Sequence, residues 1–182
     1  LAEELSRRGS YVVFPSGNAV FDGTLPGRKA TDSTCPINLY GSQKAEAESE
    51  ILALSGDCAI VRLTKVMGPD NPLINRWGAS LQAGFEITPF SNMVMAPVSL
   101  SMIVDVLLRM AQTRETGIFQ ISASRDISYG EAGYYLANRL GCSADLVQPT
   151  SAQKAGYTAE FIPKHTTLDM CRVESKFDID PP

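Results

Sequence analysis

The 182-residue sequence predicts an α/β protein built on a parallel sheet covered by helices on both faces. Short apolar runs at Tyr11–Phe14, Cys58–Leu63 and Gly117–Ser122 are separated by segments with helical apolar spacing, the alternation that parallel sheets require. Hydrophobic residues make up 44% of the chain and charged residues 20%, so a buried core is expected and disorder is not. The length suits one domain, or a domain and a half.

Taken in order, residues 1–9 read as an amphipathic helix with Leu1 and Leu5 on one face, not as a signal peptide. The chain opens at Leu1, without a methionine and in what reads as mid-helix, so something is expected to precede it. A buried strand follows at Tyr11–Phe14, then a turn at Ser16-Gly17-Asn18 and a loop to about Asn38. Residues 40–55 form a helix with Ala45, Ile51 and Leu52 inward and a run of Glu outward. Cys58–Leu63 is the next strand. Pro72–Gly84 predicts a helix, Phe85–Pro89 a short strand, and Leu100–Ala111 a strongly apolar helix covered on most sides. After the strand at Gly117–Ser122, the helix from Ser128 to Gly141 opens on a capping box, Ser128-x-x-Glu131. Leu146-Val147 reads as one more strand, and 165–177 as a last short helix. No internal repeat, low-complexity tract or flexible linker interrupts the pattern.

The charge balance excludes some functions. Sixteen Lys and Arg against twenty Asp and Glu leave a net charge of −4, a poor basis for binding nucleic acid. No apolar run approaches the roughly 18 residues of a membrane span. Cysteines at 35, 58, 142 and 171 form no CxxC pair, which argues against zinc and redox motifs and for buried thiols in a reducing, cytoplasmic compartment. His165 is the single histidine, so a multi-histidine metal site is excluded and no metal is expected.

The residues that point to chemistry are Tyr40 and Lys44. Four apart on a helix, they share a face at about 6 Å between Cβ atoms. A nearby ammonium favours the phenolate and lowers a tyrosine pKa from its usual value of about 10. Such a tyrosine can pass a proton to or from a carbonyl or alcohol oxygen. Ser16, directly after a strand, is a candidate for a supporting hydroxyl, since open α/β sheets place their sites there. Tyr-x-x-x-Lys alone also arises by chance, as an exposed tyrosine beside a solvated lysine.

The surrounding residues give the pair its context. Val20-Phe21-Asp22-Gly23-Thr24, Thr31-Asp32, Pro36-Ile37-Asn38, Tyr40-Gly41, Lys44 and Glu48 together resemble the extended short-chain dehydrogenases/reductases. Within them they are similar to the dTDP-4-dehydrorhamnose reductase-like, sugar-nucleotide-modifying subgroup. Arg62-Leu63-Thr64-x-Val66-x-Gly68 resembles the arginine-bearing strand after that group's catalytic helix. Pro97 and its helix, Gly117–Ser122 and Leu168-Asp169 are similar to its downstream elements. The resemblance covers essentially the whole chain, and its specific part is the block from 20 to 48.

The resemblance implies a Rossmann-like fold with a smaller substrate-binding subdomain, seen here as the C-terminal portion with the first βαβ units absent. It divides the chain into 1–70, the end of the cofactor-binding domain with the catalytic helix, and 71–182, the substrate subdomain plus remaining Rossmann elements at about 98–122. The implied reaction is hydride transfer from NADPH or NADH to a nucleotide-linked 4-keto sugar. Tyr40 would donate the proton, Lys44 would lower its pKa and bind the nicotinamide ribose, and Ser16 would support. Ser16 and Gly17 would also border the cofactor, and Asn18, Lys65 and Met93 the substrate. A homo-oligomer is compatible with this reading.

The sequence departs from the family pattern at three places. The Gly-rich turn that binds the dinucleotide does not occur. The family's Ser-Thr-Asp-Tyr reads Ser16-Gly17-Asn18-Ala19 here, so the Thr position is Gly17; either Ser16 substitutes or the hydroxyl is missing. The aromatic residue of the arginine strand is Lys65, which either meets a substrate phosphate or carboxylate or points into solvent. Asp22 and Asp32 read as turn carboxylates. Trp77, Phe85 and Phe90 read as core or as pocket walls, and Met93 and Met95 as gap-fillers or pocket lining. His165 reads as a surface residue or a phosphate contact. Two other functions fit the same scaffold: a non-catalytic regulatory or binding subunit, and a nucleotide-sugar epimerase or dehydratase.

Overall fold

The computed structural model describes residues 1–54, 56–159 and 162–182. Its main sheet has three parallel strands, β1 (Val12–Gly17), β2 (Cys58–Leu63) and β6 (Gly117–Ile121), in the order β1-β2-β6. The register places Val12 beside Cys58 and Ser16 beside Arg62, and then Ile60 beside Ile118 and Arg62 beside Gln120. Side chains therefore sort by parity onto two faces across all three strands.

One face carries Cys58 and Ile60 with Val12, Phe14 and Ile118. It packs against Ile51 of helix α2 (Leu39–Leu52) and Ala2 of helix α1 (Ala2–Arg7). The other carries Ala59, Val61, Phe119 and Ile121. It packs against Ile103, Val106 and Met110 of α4 (Leu100–Thr113) and Val173 and Phe177 of α6 (Cys171–Phe177). The expected two-faced parallel sheet is thus present. Because α2 and α4 lie on opposite faces while the strand order advances one way, the two crossovers have opposite hands. One of them departs from the right-handed rule. The second is the long one and carries elements of its own.

Those elements build a second, smaller core. Helix α3 (Pro72–Gln82) packs on α5 (Tyr129–Arg139), with Trp77, Leu81, Ile87, Met95, Ala132, Ala137 and Val147 between them. Two short pairs connect the cores: β3 (Lys65–Met67) runs parallel to β5 (Pro97–Ser99), and β4 (Val94–Met95) antiparallel to β7 (Ile127–Ser128). Local signals start the helices. Asn38, Asn71 and Ser99 accept from the first-turn amides of α2, α3 and α4, and Ser128 and Glu131 form the expected capping box.

Several expectations are corrected. The first strand extends through Ser16 and Gly17, and a 3-10 turn begins only at Asn18. Phe85–Pro89 is not a strand: Ile87 and Phe90 make single bridges to Val147 and Thr150, and 144–146 is a 3-10 turn. Helix α4 buries one side only, because Leu100, Val104 and Leu108 stay exposed. Helix α1 buries none of its residues. In α2, Leu52 points outward while Glu48 is buried; the predicted end of this helix at Ser55 lies outside the described residues. Of the four cysteines only Cys58 is buried, and Cys171 is exposed. Among the described residues no helix is long and apolar enough to cross a membrane.

Candidate active site

The N-terminus of α2 is seated on the 3-10 turn that leaves β1. A Cβ on Gly41 would overlap the carbonyl oxygen of Ala19 and stand 2.9 Å from Cβ of Pro36, so only glycine allows this approach. Asn38 caps the helix by accepting from Gly41 N at 2.8 Å. The first turn of α2, with Tyr40, is thereby delivered to the C-terminal end of β1, where α/β sheets place ligands.

Tyr40 is 59% exposed, and its hydroxyl has no hydrogen-bond partner among the described residues. Lys44 lies one turn on. Its ammonium donates to the carbonyl of Pro15 at 2.9 Å and sits 4.8 Å from the Phe14 ring centroid and 5.8 Å from that of Tyr40. Strand β1 therefore anchors the cation beside the phenol. The structure thus brings Tyr40, Lys44 and the end of β1 together.

Ser16 and Gly17 close that strand. Ser16 is buried, and its Oγ has no hydrogen-bond partner among the described residues. Gly17 has extended backbone, φ −155°, and a Cβ there would meet only the Leu63 carbonyl at 3.4 Å. A side chain would fit at 17, but none is present. Asn18 follows, half-buried in the turn, with its carbonyl accepting from Phe21 N.

The other predicted residues gather on the second core. Met93, Trp77, Phe90 and Tyr129 line a cavity of about 500 Å³. Lys65 is not among its lining residues, and its Nζ lies 6.0 Å from the Tyr129 ring centroid. Arg76 and Tyr157 also line it, and Tyr157 meets Phe90 edge-on at 5.5 Å. Neither carried a signal in the sequence, because α3 and the segment after α5 converge only in the folded chain. Phe85 is exposed and lies outside the cavity, and Met95 is in the core.

Asp22, Asp32 and His165 each meet nearby side chains or amides. Asp22 accepts from the amide and hydroxyl of Thr24, and those bonds, the amide's first, hold its carboxyl below the usual range. Asp32 accepts from Lys29 N and pairs with Arg28. His165 lies 3.6 Å from Asp126.

A nicotinamide cofactor is what the resemblance implies. The residues present fit one end of it: a free phenol hydroxyl, an anchored ammonium, and at Gly17 a stretch of strand end without a side chain. Ser16 Oγ, in the same strand end, is unpaired among the described residues. Among the described residues no glycine-rich strand-to-helix turn offers amides to a diphosphate.

A family profile described as the RmlD substrate binding domain matches residues 1–182. The chain is 24% identical over 187 residues to the Xenopus tropicalis methionine adenosyltransferase 2 subunit beta, covering 96% of this chain and 54% of that protein. It is 24% identical over 194 residues to the dTDP-4-dehydrorhamnose reductase of Aggregatibacter actinomycetemcomitans, covering 100% of this chain and 66% of that one. It therefore spans about half to two thirds of these relatives' lengths. Among solved structures, dTDP-4-dehydrorhamnose reductase from Bacillus anthracis in complex with NADP superposes with a TM-score of 0.88. The identity is 20%, over 100% of this chain and 64% of that one. At that identity the likeness speaks for the fold.

Proposed function

The chain belongs to the RmlD substrate binding domain family, and from that premise we propose that it is the catalytic-helix and substrate-binding part of an NAD(P)H-dependent reductase of a nucleotide-linked 4-keto sugar. The observation that carries this reading is the Tyr40–Lys44 pair at the end of β1, with Tyr40 exposed and the half-buried lysine tied to Pro15. A free hydroxyl held there is placed to donate its proton to an alkoxide oxygen as that oxygen gains charge. Lys44 holds its ammonium 5.8 Å from the Tyr40 ring centroid, next to the oxygen on which charge develops during the transfer. Bound NADPH or NADH supplies the hydride, with Tyr40, Lys44, Ser16 and Gly17 as the residues that would border it.

The second core supports a nucleotide-sugar substrate. The cavity's volume lies within the usual range for small-molecule sites. Trp77, Phe90, Tyr129 and Tyr157 offer flat faces to a base, and Arg76 offers a guanidinium to a diphosphate. Asn18, Lys65 and Met93 are assigned to the substrate side.

One observation favours a second reading, a non-catalytic regulatory or binding subunit. The hydroxyl expected at position 17 is absent, and the neighbouring Ser16 is buried. The similarity to a subunit named as beta fits that reading.

The test is turnover of a dTDP-linked 4-keto sugar by the full-length protein, followed as NADPH and NADH consumption, with Tyr40→Phe as control. Reductase function predicts turnover that Tyr40→Phe abolishes while the fold persists. Cofactor or sugar-nucleotide binding without turnover supports the second reading, and full activity of Tyr40→Phe overturns the first.

A further inference from the structure

Helix α2 carries a third residue on the side of Tyr40 and Lys44. Glu48 lies one turn beyond Lys44, yet it is 2% exposed, although a glutamate at that place reads as solvated. Its carboxylate accepts from Arg62 Nε at 3.0 and 3.2 Å and from Nη2 at 2.6 Å. Arg62 is also 2% exposed. In β2 it stands directly beside Ser16, one residue short of the strand end at Gly17.

The pair is the centre of a buried network. Arg62 Nη1 donates to Ala30 O and Gln120 Oε1, each at 3.4 Å. Gln120 donates in turn to Arg28 O at 2.8 Å and Asp169 O at 2.9 Å. The Phe21 ring is approached by the guanidiniums of Arg28 and Arg62, at 4.5 and 5.0 Å from its centroid. One cluster therefore holds α2, the loop between β1 and α2, and strands β2 and β6.

A buried ion pair stabilises a fold no better than apolar residues of similar volume. What it adds here is direction. Three bonds between two planar groups set how far α2 is rolled and slid against the sheet, and Tyr40 is carried on that helix two turns away. We infer that Glu48 and Arg62 are positioning residues: they hold α2 so that Tyr40 and Lys44 meet the end of β1. The catalytic meaning of this rests on the reductase reading, whereas the geometric part does not.

The test uses the full-length protein labelled with 3-fluorotyrosine, the Tyr40 signal being assigned by its loss in Tyr40→Phe. In Glu48→Gln the fluorine resonance of Tyr40 should shift or broaden. The signals of Tyr129 and Tyr157, on the other core, should hold. If Glu48→Gln does not fold, Glu48→Leu/Arg62→Met supplies an apolar pair of similar volume, and the same displacement of Tyr40 is expected. An unchanged Tyr40 resonance in either folded variant overturns the inference, since a pair that only fills space would leave it alone. In a protein that turns over, the same variants should lower kcat about tenfold to a hundredfold with KM for the sugar nucleotide held. Wild-type protein without turnover defeats the reductase reading and leaves the fluorine result to decide this one.

Discussion

Gly41 and Ala19 touch so closely that a methyl group on Gly41 would overlap the Ala19 carbonyl oxygen, far inside van der Waals contact. This contact seats α2 on the turn after β1. Gly41→Ala should therefore destabilise the protein by about 1–3 kcal/mol, the usual penalty of overpacking a rigid contact. It should also weaken any activity that depends on Tyr40. Thermal unfolding and a turnover assay check both; an unchanged melting temperature would mean the helix can back away freely.

Gly17 offers the opposite case. Its backbone is extended and its surroundings are open, so Gly17→Thr should fold normally. If the reductase reading holds and a hydroxyl is what the site lacks, Gly17→Thr should raise kcat by about a hundredfold, the scale of one transition-state hydrogen-bond donor. No gain in kcat would indicate that Ser16 already serves, or that the site does not reduce.

The capping box of α5 tests the second core. Ser128 Oγ accepts from Glu131 N at 3.0 Å, and the Glu131 carboxylate accepts from Ser128 N at 2.6 Å. The Ser128 amide first, then the Ser128 hydroxyl, holds the Glu131 carboxyl below its usual range. Ser128→Ala should cost about 1 kcal/mol in chemical denaturation. The contribution of Glu131 is present above its unfolded pKa and is lost as pH falls through the folded one. The difference between wild type and Glu131→Gln should therefore shrink in acid; a constant difference would argue against the box.

Tyr11 should govern behaviour at high pH. Its hydroxyl donates to the Glu115 carbonyl at 2.5 Å. Burial first, then the charge of Glu115, pushes its pKa from 10.0 to about 12. The folded state thus keeps a proton that the unfolded chain releases. Stability from this source is full below the unfolded value and is lost as pH rises through the folded one. Urea midpoints of wild type and Tyr11→Phe, compared at about pH 9 and about pH 11.5, should converge as pH rises. Curves that stay parallel would remove Tyr11 from the account.

Much of this protein was legible before folding was considered. Cys58–Leu63 is buried along most of its length, and the apolar run Cys58–Val61 has no other economical place than the middle of a parallel sheet. Ser128 announces a helix start because a capping box is a pair of bonds between residues three apart. Tyr40 and Lys44 share a face for the same reason: helical spacing is local. The sequence determined these features because the interactions behind them span a few residues.

What lay beyond it depends on partners far along the chain. Glu48 reads as a solvated charge until Arg62, on another element, arrives to neutralise it. Leu52, Val104 and Leu108 read as core, but which side of an apolar helix is covered depends on where the neighbouring elements lie. The run at 85–89 has strand character, yet it finds only single bridges at Val147 and Thr150, because a strand exists only with a neighbour alongside. Arg76, Tyr129 and Tyr157 join one cavity from three separate segments. Burial, ion pairing and cavity walls are properties of pairs of elements, so only the tertiary structure decided them.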